Sequence, residues 1–252
     1  MDVIYLASAG DVVERMLSLA RVGKGDVLYD LGCGDGRIVI AAARDRGARG
    51  VCNDIDPARI ADSRRNAETA GVAARIRLEG GDLFELDLAE ATVVTLYLSP
   101  AINRRLRPKL FRELRPGTRV VSHNFDMGEW LPDSTVSVAW PSGTTSAVHL
   151  WTIPADVAGT WAIAVSGAAA DRRYRVRLEQ EFQRLSGTAS HNGRPVELSG
   201  ARVSGDTIAF VVADTVGGGE TELRFRGSVR GGAMRGAVDG DSTRGRWLGV
   251  RP

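Results

Sequence analysis

The sequence has few of the residue types that build metal sites and disulfide frameworks. Its 252 residues include two cysteines and three histidines. Neither Cys33 and Cys52 nor the scattered histidines have the spacing of a zinc or iron site, so we predict no bound metal. Two cysteines are also too few for a disulfide framework, and a reducing, cytoplasmic compartment is the simplest expectation.

Long apolar runs and a large excess of one charge are also absent. No run approaches the length that spans a bilayer, and the N-terminus lacks the basic flank and continuous apolar core of a signal peptide. Basic and acidic residues number 33 and 31, which leaves a formal net charge of +2. A dedicated nucleic-acid-binding protein carries a clearer positive excess, so we expect neither a membrane span nor a nucleic-acid partner.

Two compositional halves follow one another along the chain. Through residue 153, helix-like stretches alternate with short apolar runs, which is typical of a parallel α/β sheet. After Pro154 no helical stripe is visible, and 16 of the 30 glycines lie in this part. We therefore predict one α/β domain over residues 1–153 and an all-β domain, a barrel or a sandwich of about eight short strands, over 159–252.

Seven strands and three helices between them are predicted in the first half. The helices cover 37–46, 57–70 and 101–114, and a further amphipathic helix precedes the first strand. The last two strands have only a short connection between them, so they should form an antiparallel pair. The predicted strands cover 27–31, 50–54, 76–79, 92–98, 119–122, 135–139 and 147–152.

A glycine-rich turn, Asp-Leu-Gly-Cys-Gly-Asp-Gly at 30–36, stands where the first strand ends and a helix begins. Glycines there let backbone N–H groups approach a ligand. The dinucleotide fingerprint has the spacing G-x-G-x-x-G, whereas these glycines are at 32, 34 and 36. Asp30 would repel a phosphate but suits a ligand with an ammonium group, and S-adenosylmethionine is such a ligand.

Two further acids follow the next two strands. Asp54 lies at the end of the second strand, where a carboxylate can accept both ribose hydroxyls, a feature that fits NAD equally well. Asp82 follows the third strand and could accept a hydrogen bond from an adenine amino group, while Ile55 and Leu83 cover the ring faces. Each acid taken singly also fits a turn or a helix cap, but the three in register favour a cofactor site.

With these motifs the first 153 residues resemble the class I, seven-stranded S-adenosylmethionine-dependent methyltransferases. Segments 2–5, 29–38, 96–100 and 122–128 are similar to a narrower group, the prokaryotic and archaeal protein-lysine methyltransferases related to the ATP synthase c-subunit lysine methyltransferases. The resemblance implies a Rossmann-like sheet with an antiparallel last strand. It also implies S-adenosyl-L-methionine as cofactor and S-adenosyl-L-homocysteine as product.

The resemblance also assigns residues to the cofactor. Asp30 would hold the methionine ammonium group, and Tyr5 and Ser8 would close over the cofactor. Residues 6–10 depart from the group, which has prolines flanking a threonine there, so this lid is less preorganised. The full set predicted to bind the cofactor is Tyr5, Ser8, Asp30, Gly32, Cys33, Gly34, Asp54, Ile55, Asp82 and Leu83.

The methyl acceptor should enter where the fourth strand ends, because ligands of open α/β sheets bind there. Tyr97 and Ser99 are the candidate catalytic residues. In-line methyl transfer requires that the nucleophile is aligned with the methyl group and that water is excluded. A lysine amine must be neutral to attack, and a tyrosine hydroxyl could position that amine. Tyr97 could instead be a packed aromatic residue, and His123, a candidate base, could be structural.

A protein lysine is the leading acceptor by resemblance. The segment at 97–100 lacks the Asn/Asp-Pro-Pro-Tyr/Phe pattern of enzymes that methylate amides and bases, which argues against nucleic-acid bases. Three alternatives stay open: a small-molecule N- or O-methyltransferase, a non-catalytic S-adenosylmethionine-binding protein, and an NAD-dependent oxidoreductase, which the Asp-Leu-Gly-Cys-Gly pattern disfavours. The all-β domain could bind substrate, form a homodimer or shield the sheet.

Overall fold

The structure is a computed structural model that describes residues 8–139, 144–167, 172–216, 219–240 and 244–252. The chain divides into two compact units, of which the first ends at Ile153 and the second begins at Pro154. Within the described ranges, every helix is too short or too polar to cross a membrane.

The first unit is a seven-stranded sheet flanked by helices, in the order β3-β2-β1-β4-β5-β7-β6. β7 is antiparallel to both of its neighbours, and the other pairs are parallel. This confirms the predicted α/β class and the antiparallel pair at its end. The elements are α1 (Gly10–Leu19), β1 (Val27–Leu31), α2 (Arg37–Arg46), β2 (Arg49–Asp54), α3 (Pro57–Thr69), a short 3-10 turn (Ala73–Arg75), β3 (Ile76–Gly80), β4 (Val93–Leu96), α4 (Pro100–Glu113), β5 (Arg119–His123), β6 (Ser134–Ala139) and β7 (Thr145–Thr152).

Local sequence signals set the helix ends. Asp56 caps α3 by accepting a hydrogen bond from the backbone N–H of Ala58, and Pro57 follows it in the first turn. α2 ends at Gly47, whose φ of 68° belongs to the left-handed region. Because β1, β2 and β4 run in parallel, the loops that follow them lie at one edge of the sheet.

The predicted fourth strand is too long at its C-terminal end. The sequence predicts a strand over 92–98, whereas β4 ends at Leu96. Leu96 pairs with Leu31, the last residue of β1, and β1 then turns away at Gly32. Tyr97 therefore has no strand partner in β1, and it lies beyond the sheet in the loop that leads to α4.

The second unit is a closed antiparallel barrel in which each strand pairs with the next and β15 pairs back with β8. The predicted all-β class is confirmed, and the barrel is the form that it takes. Its strands are β8 (Gly159–Ser166), β9 (Arg172–Glu181), β10 (Arg184–His191), β11 (Arg194–Ser204), β12 (Thr207–Val216), β13 (Gly219–Arg230), β14 (Ala233–Asp239) and β15 (Arg244–Val250).

Aromatic side chains fill the barrel interior. Trp161, Phe210 and Phe225 are at most 2% exposed, and the rings of Phe210 and Phe225 stack with 4.6 Å between centroids. Trp247 packs against both phenylalanines. These rings form the core of the barrel, whereas Phe182 lies half-buried in the turn after β9.

Candidate functional site

The glycine-rich turn follows β1 and is bound to β2 by backbone hydrogen bonds. The N–H groups of Gly32 and Cys33 donate to the carbonyl of Asn53 at 2.8 and 3.0 Å. Gly32 has a φ of 75°, and a Cβ there would lie 2.8 Å from Cδ2 of Leu98. Glycine is thus required at this position by both the backbone conformation and the neighbouring side chain.

Asp30 is a buried carboxylate with one unsatisfied oxygen. Its Oδ1 accepts a hydrogen bond from the Thr95 hydroxyl at 2.7 Å, and its Oδ2 is buried with no hydrogen-bond partner among the described residues. Burial raises the pKa of Asp30 to about 7. A cationic ligand group would supply the missing partner and favour the ionised carboxylate, which is what the ammonium group of S-adenosylmethionine offers.

Asp54 is oriented by two backbone hydrogen bonds. Its Oδ2 accepts from the N–H of Gly34 at 2.9 Å, and its Oδ1 accepts from the N–H of Asp56 at 3.0 Å. Each oxygen keeps a second lone pair, so the carboxylate can still accept the two hydroxyls of a ribose. Ile55, beside it, is 74% exposed, and an adenine ring would cover this apolar surface.

The loop after β3 brings Asp82 to the same edge of the sheet. Asn53 Nδ2 donates to the carbonyl of Gly81 at 3.2 Å, which ties this loop to the end of β2. Asp82 is exposed, and its Oδ1 accepts from the N–H of Phe84 at 2.9 Å, while Leu83 between them is half-buried. The carboxylate therefore supports a turn and also presents oxygen atoms to solvent.

Cys33 and Cys52 form a disulfide that links the glycine-rich turn to β2. The sequence analysis did not predict this pair, whose members are 19 residues apart with 5.3 Å between their Cα atoms. Cys33 is only 6% exposed, its N–H donates to Asn53 and its carbonyl accepts from Gly36, so its contact with the cofactor stays a prediction.

Tyr97 lies at the end of β4 among other aromatic rings. It stacks on His123 with 4.0 Å between ring centroids and on Phe125 with 5.9 Å. No described residue hydrogen-bonds its hydroxyl, which leaves that group available to a ligand. Ser99, the other predicted catalytic residue, caps α4, since its hydroxyl accepts from the N–H of Ile102 at 3.4 Å.

His123 is a buried, neutral imidazole. Its Nδ1 lies 2.8 Å from the hydroxyl of Ser8, and its Nε2 lies 3.0 Å from the hydroxyl of Ser146. Burial lowers the pKa of His123 to about 4. With both nitrogens engaged and protonation disfavoured, His123 is suited to hold the Tyr97 ring rather than to act as a base. Ser8 thus contacts His123, while Tyr5 lies outside the described residues.

Sequence reasoning missed residues that position this site. Thr95 orients Asp30, and its signal was a polar residue inside an apolar strand. Asn103 is fully buried on α4 and donates through Nδ2 to the carbonyls of Phe125 and Asp126, both at 3.2 Å. No local pattern marks Asn103, because its partners lie about twenty residues away in the loop after β5.

Known proteins resemble this chain in its first unit. The model of the ANTKMT methyltransferase domain family matches residues 30–134. A protein-lysine N-methyltransferase of Saccharolobus islandicus (strain REY15A) is 46% identical over 135 residues, which are 53% of this chain and 84% of that protein. The adenine nucleotide translocase lysine N-methyltransferase of Mus musculus is 34% identical over 136 residues, which are 54% of this chain and 59% of that protein.

One solved structure is similar in both sequence and fold. It is described as an RNA methyltransferase from Salinibacter ruber in complex with S-adenosyl-L-homocysteine. The identity is 56% and the TM-score is 0.57, and the match covers 60% of this chain and 96% of that chain. The demethylated cofactor in that complex agrees with S-adenosylmethionine as the predicted cofactor.

Proposed function

Since the chain belongs to the ANTKMT methyltransferase domain family and is an S-adenosylmethionine-dependent methyltransferase, we propose that its acceptor is a lysine amine of a protein. The observation that carries the proposal is the 46% identity to the archaeal protein-lysine N-methyltransferase, because the match spans 84% of that protein. The Tyr97 hydroxyl, which no described residue hydrogen-bonds, supplies a group after β4 that can receive an amine.

The residues of the glycine-rich turn and of β2 would hold the cofactor. S-adenosylmethionine supplies an electrophilic methyl group when bound. Asp30 pairs its free Oδ2 with the ammonium group, Gly32 and Gly34 line the methionine moiety, and Asp54 accepts the ribose hydroxyls. Asp82 and Ile55 contact the adenine edge and face.

Tyr97 would position the acceptor. Its hydroxyl accepts a hydrogen bond from the neutral lysine amine and holds the nitrogen in line for attack, which is the main requirement of a displacement reaction. His123 keeps the Tyr97 ring in place by stacking, and Phe125 excludes water from the same side. The proton that the amine loses passes to solvent.

RNA is the second candidate acceptor, because the 56% identical Salinibacter structure is described as an RNA methyltransferase. Against it, the residues at the end of β4 are Tyr97, Leu98, Ser99 and Pro100, which differ from the pattern used for base and amide methylation. We therefore place a protein lysine first and RNA second, ahead of a small-molecule amine or hydroxyl.

A methyl-labelling experiment tests the proposal. The purified full chain is incubated with methyl-labelled S-adenosylmethionine and an extract of cells that lack this chain. We expect label in the protein fraction and its release as methyllysine after acid hydrolysis. If ribonuclease removes the label, the acceptor is RNA. If label is found only in the small-molecule fraction, the acceptor is a small molecule. Cofactor binding without label in any fraction would support the non-catalytic alternative.

A further inference from the structure

The outside of the barrel carries an apolar strip. Ala162 and Ala164 on β8 and Leu248 and Val250 on β15 point outward and are all exposed. Leu248 is 49% and Val250 43% exposed, and they are two of the four exposed large hydrophobic residues that the structure describes. We call these four residues the barrel strip.

Strand register makes the barrel strip continuous. Leu248 pairs with Ala164 and Val250 pairs with Ala162, so the four side chains are cross-strand neighbours on one face. The alternate residues Ile163 and Trp247 point into the barrel and are buried. The barrel strip is therefore not part of the barrel core, and the apolar surface of the strip is exposed to solvent.

Arginines border the barrel strip on both sides. Arg173 pairs with Ala164 on the β9 side, and Arg235 pairs with Leu248 on the β14 side. Arg175 pairs with Ala162 on the β9 side. Arg246 lies at one end of the strip, on β15 two residues before Leu248. All four are exposed, and none forms an ion pair with a described residue. Five other barrel arginines do form such pairs: Arg172, Arg184, Arg224, Arg230 and Arg251.

The spacing of the border fits a helix. Arg173 and Arg235 are separated by three strand-to-strand steps, which amount to about 14 Å between backbones. An α-helix with its side chains is about 10–12 Å across. Apolar surface with a rim of arginine is also the composition of protein interfaces, and an unpaired guanidinium is a strong carboxylate ligand.

We propose that the barrel strip and its four arginines form a docking surface for an acidic amphipathic helix of another protein. The apolar side of the helix covers Leu248 and Val250, and carboxylates on both flanks pair with Arg173 and Arg235. A second copy of this chain fits less well, because two such faces would bring arginines together without carboxylates. RNA also fits less well, since the centre is aliphatic and has no aromatic ring on which a base stacks. The inference concerns the second unit and does not depend on which acceptor is methylated.

A synthetic peptide probes the surface directly. The probe is a fluorescent helical peptide with a leucine stripe bordered on both sides by glutamates, and two companions carry glutamine or lysine at the bordering positions. Fluorescence anisotropy with the full chain should give saturable binding of the glutamate peptide. The glutamine peptide should bind about tenfold more weakly and the lysine peptide not measurably.

Variants separate the apolar and charged contributions. We expect Leu248→Thr with Val250→Thr to weaken binding of the glutamate peptide about tenfold, and Arg173→Glu with Arg235→Glu to weaken it at least as much. Arg202→Glu is the matched control, because Arg202 is an exposed arginine on β11, on the opposite side of the barrel. Circular dichroism and unchanged affinity for S-adenosylhomocysteine show that each variant is folded.

Several results would overturn the inference. Equal binding of the glutamate and glutamine peptides would exclude an acidic helix as the partner of this surface. The absence of saturable binding of the glutamate peptide would exclude it as well. A wild-type dimer that the Leu248→Thr, Val250→Thr variant dissociates assigns the face to a second copy. Binding of single-stranded RNA that is lost on arginine reversal but kept in the apolar variant assigns it to RNA.

Discussion

The imidazole of His123 stacks on the phenol ring of Tyr97, with 4.0 Å between their centroids and 25° between their planes. Hydrogen bonds between the two imidazole nitrogens and the hydroxyls of Ser8 and Ser146 prevent the histidine ring from turning. The end of β5 thereby supports the side chain that follows β4. Tyr97, the residue proposed to position the acceptor, is thus held by packing, and no described residue hydrogen-bonds its hydroxyl.

Removing the Tyr97 hydroxyl should slow methyl transfer and leave the cofactor in place. In Tyr97→Phe the stacked ring is kept, so we expect turnover to fall roughly three- to tenfold, the value of one hydrogen bond. Calorimetric titration with S-adenosylhomocysteine should give the wild-type affinity. Normal turnover in this variant would exclude the hydroxyl from the mechanism.

His123 should make the protein sensitive to acid. Its pKa in the folded state, about 4, is below the unfolded value of 6.5. The stability that this difference contributes is fully present above pH 6.5 and is lost as the pH falls through about 4. The difference in melting temperature between wild type and His123→Gln should therefore shrink from pH 7 toward pH 4. A constant difference would contradict a buried neutral imidazole.

The contribution of Asp30 to stability should depend on pH in the opposite direction. Its folded pKa of about 7 lies above the unfolded value of 3.8, so its contribution to stability is present below pH 3.8 and is lost as the pH rises through about 7. Asp30→Asn should gain melting temperature relative to wild type between pH 5 and pH 8. The same variant should bind S-adenosylhomocysteine more weakly, because the amide cannot pair with the ammonium group. An increase in both the melting temperature and the affinity for S-adenosylhomocysteine would exclude Asp30 from cofactor binding.

Asp54 can be tested against a neighbouring acid. Asp54→Ala should weaken cofactor binding by roughly 1–3 kcal/mol, because hydrogen bonds to a charged group are lost. Asp56→Ala removes the cap of α3 and should lower stability by about 1 kcal/mol with little change in cofactor affinity. Titration calorimetry and thermal melts distinguish the two effects. Unchanged affinity in Asp54→Ala would reject its ribose role.

The disulfide between Cys33 and Cys52 should stabilise the first unit. Closing a loop of this length, with a sequence separation of 19 between the cysteines, contributes about 3 kcal/mol in the chain-entropy model. Reduction with dithiothreitol should lower the melting temperature, whereas a Cys33→Ala, Cys52→Ala variant should not respond to the reductant. Alkylation in intact cells, followed by mass spectrometry, measures how much of the protein carries the bond. Complete alkylation of both thiols would show that the reduced form is the one present in cells.

Short-range signals account for the parts of the fold that the sequence predicted well. The bounds of α2 agree at both ends, because Gly36 and Gly47 flank it and both have positive φ. β4 was predicted two residues too long at its C-terminal end, because Tyr97 and Leu98 continue its apolar run. The strand ends where its partner β1 ends, and this depends on pairing between segments 65 residues apart.

The choice of a barrel for the second unit also depends on distant pairing. Alternating residues such as Tyr174, Val176 and Leu178 predict strands but do not say which strands close the sheet. Closure comes from the pairing of β15 with β8, which joins the two ends of the unit. A sandwich would use the same alternation with different partners.

The sequence alone determined the fold class and the cofactor of this protein. The turn at 30–36 and the acids at 54 and 82 are fixed by backbone conformation and strand order, which act over short stretches of chain. Only the tertiary structure decided how the side chains on both sides are held: Asp30, on the cofactor side, is oriented by Thr95, 65 residues away, and His123, which stacks on Tyr97, is kept neutral beside Ser8, 115 residues away. Burial and desolvation set both pKa values, and these depend on which distant residues exclude water from a side chain.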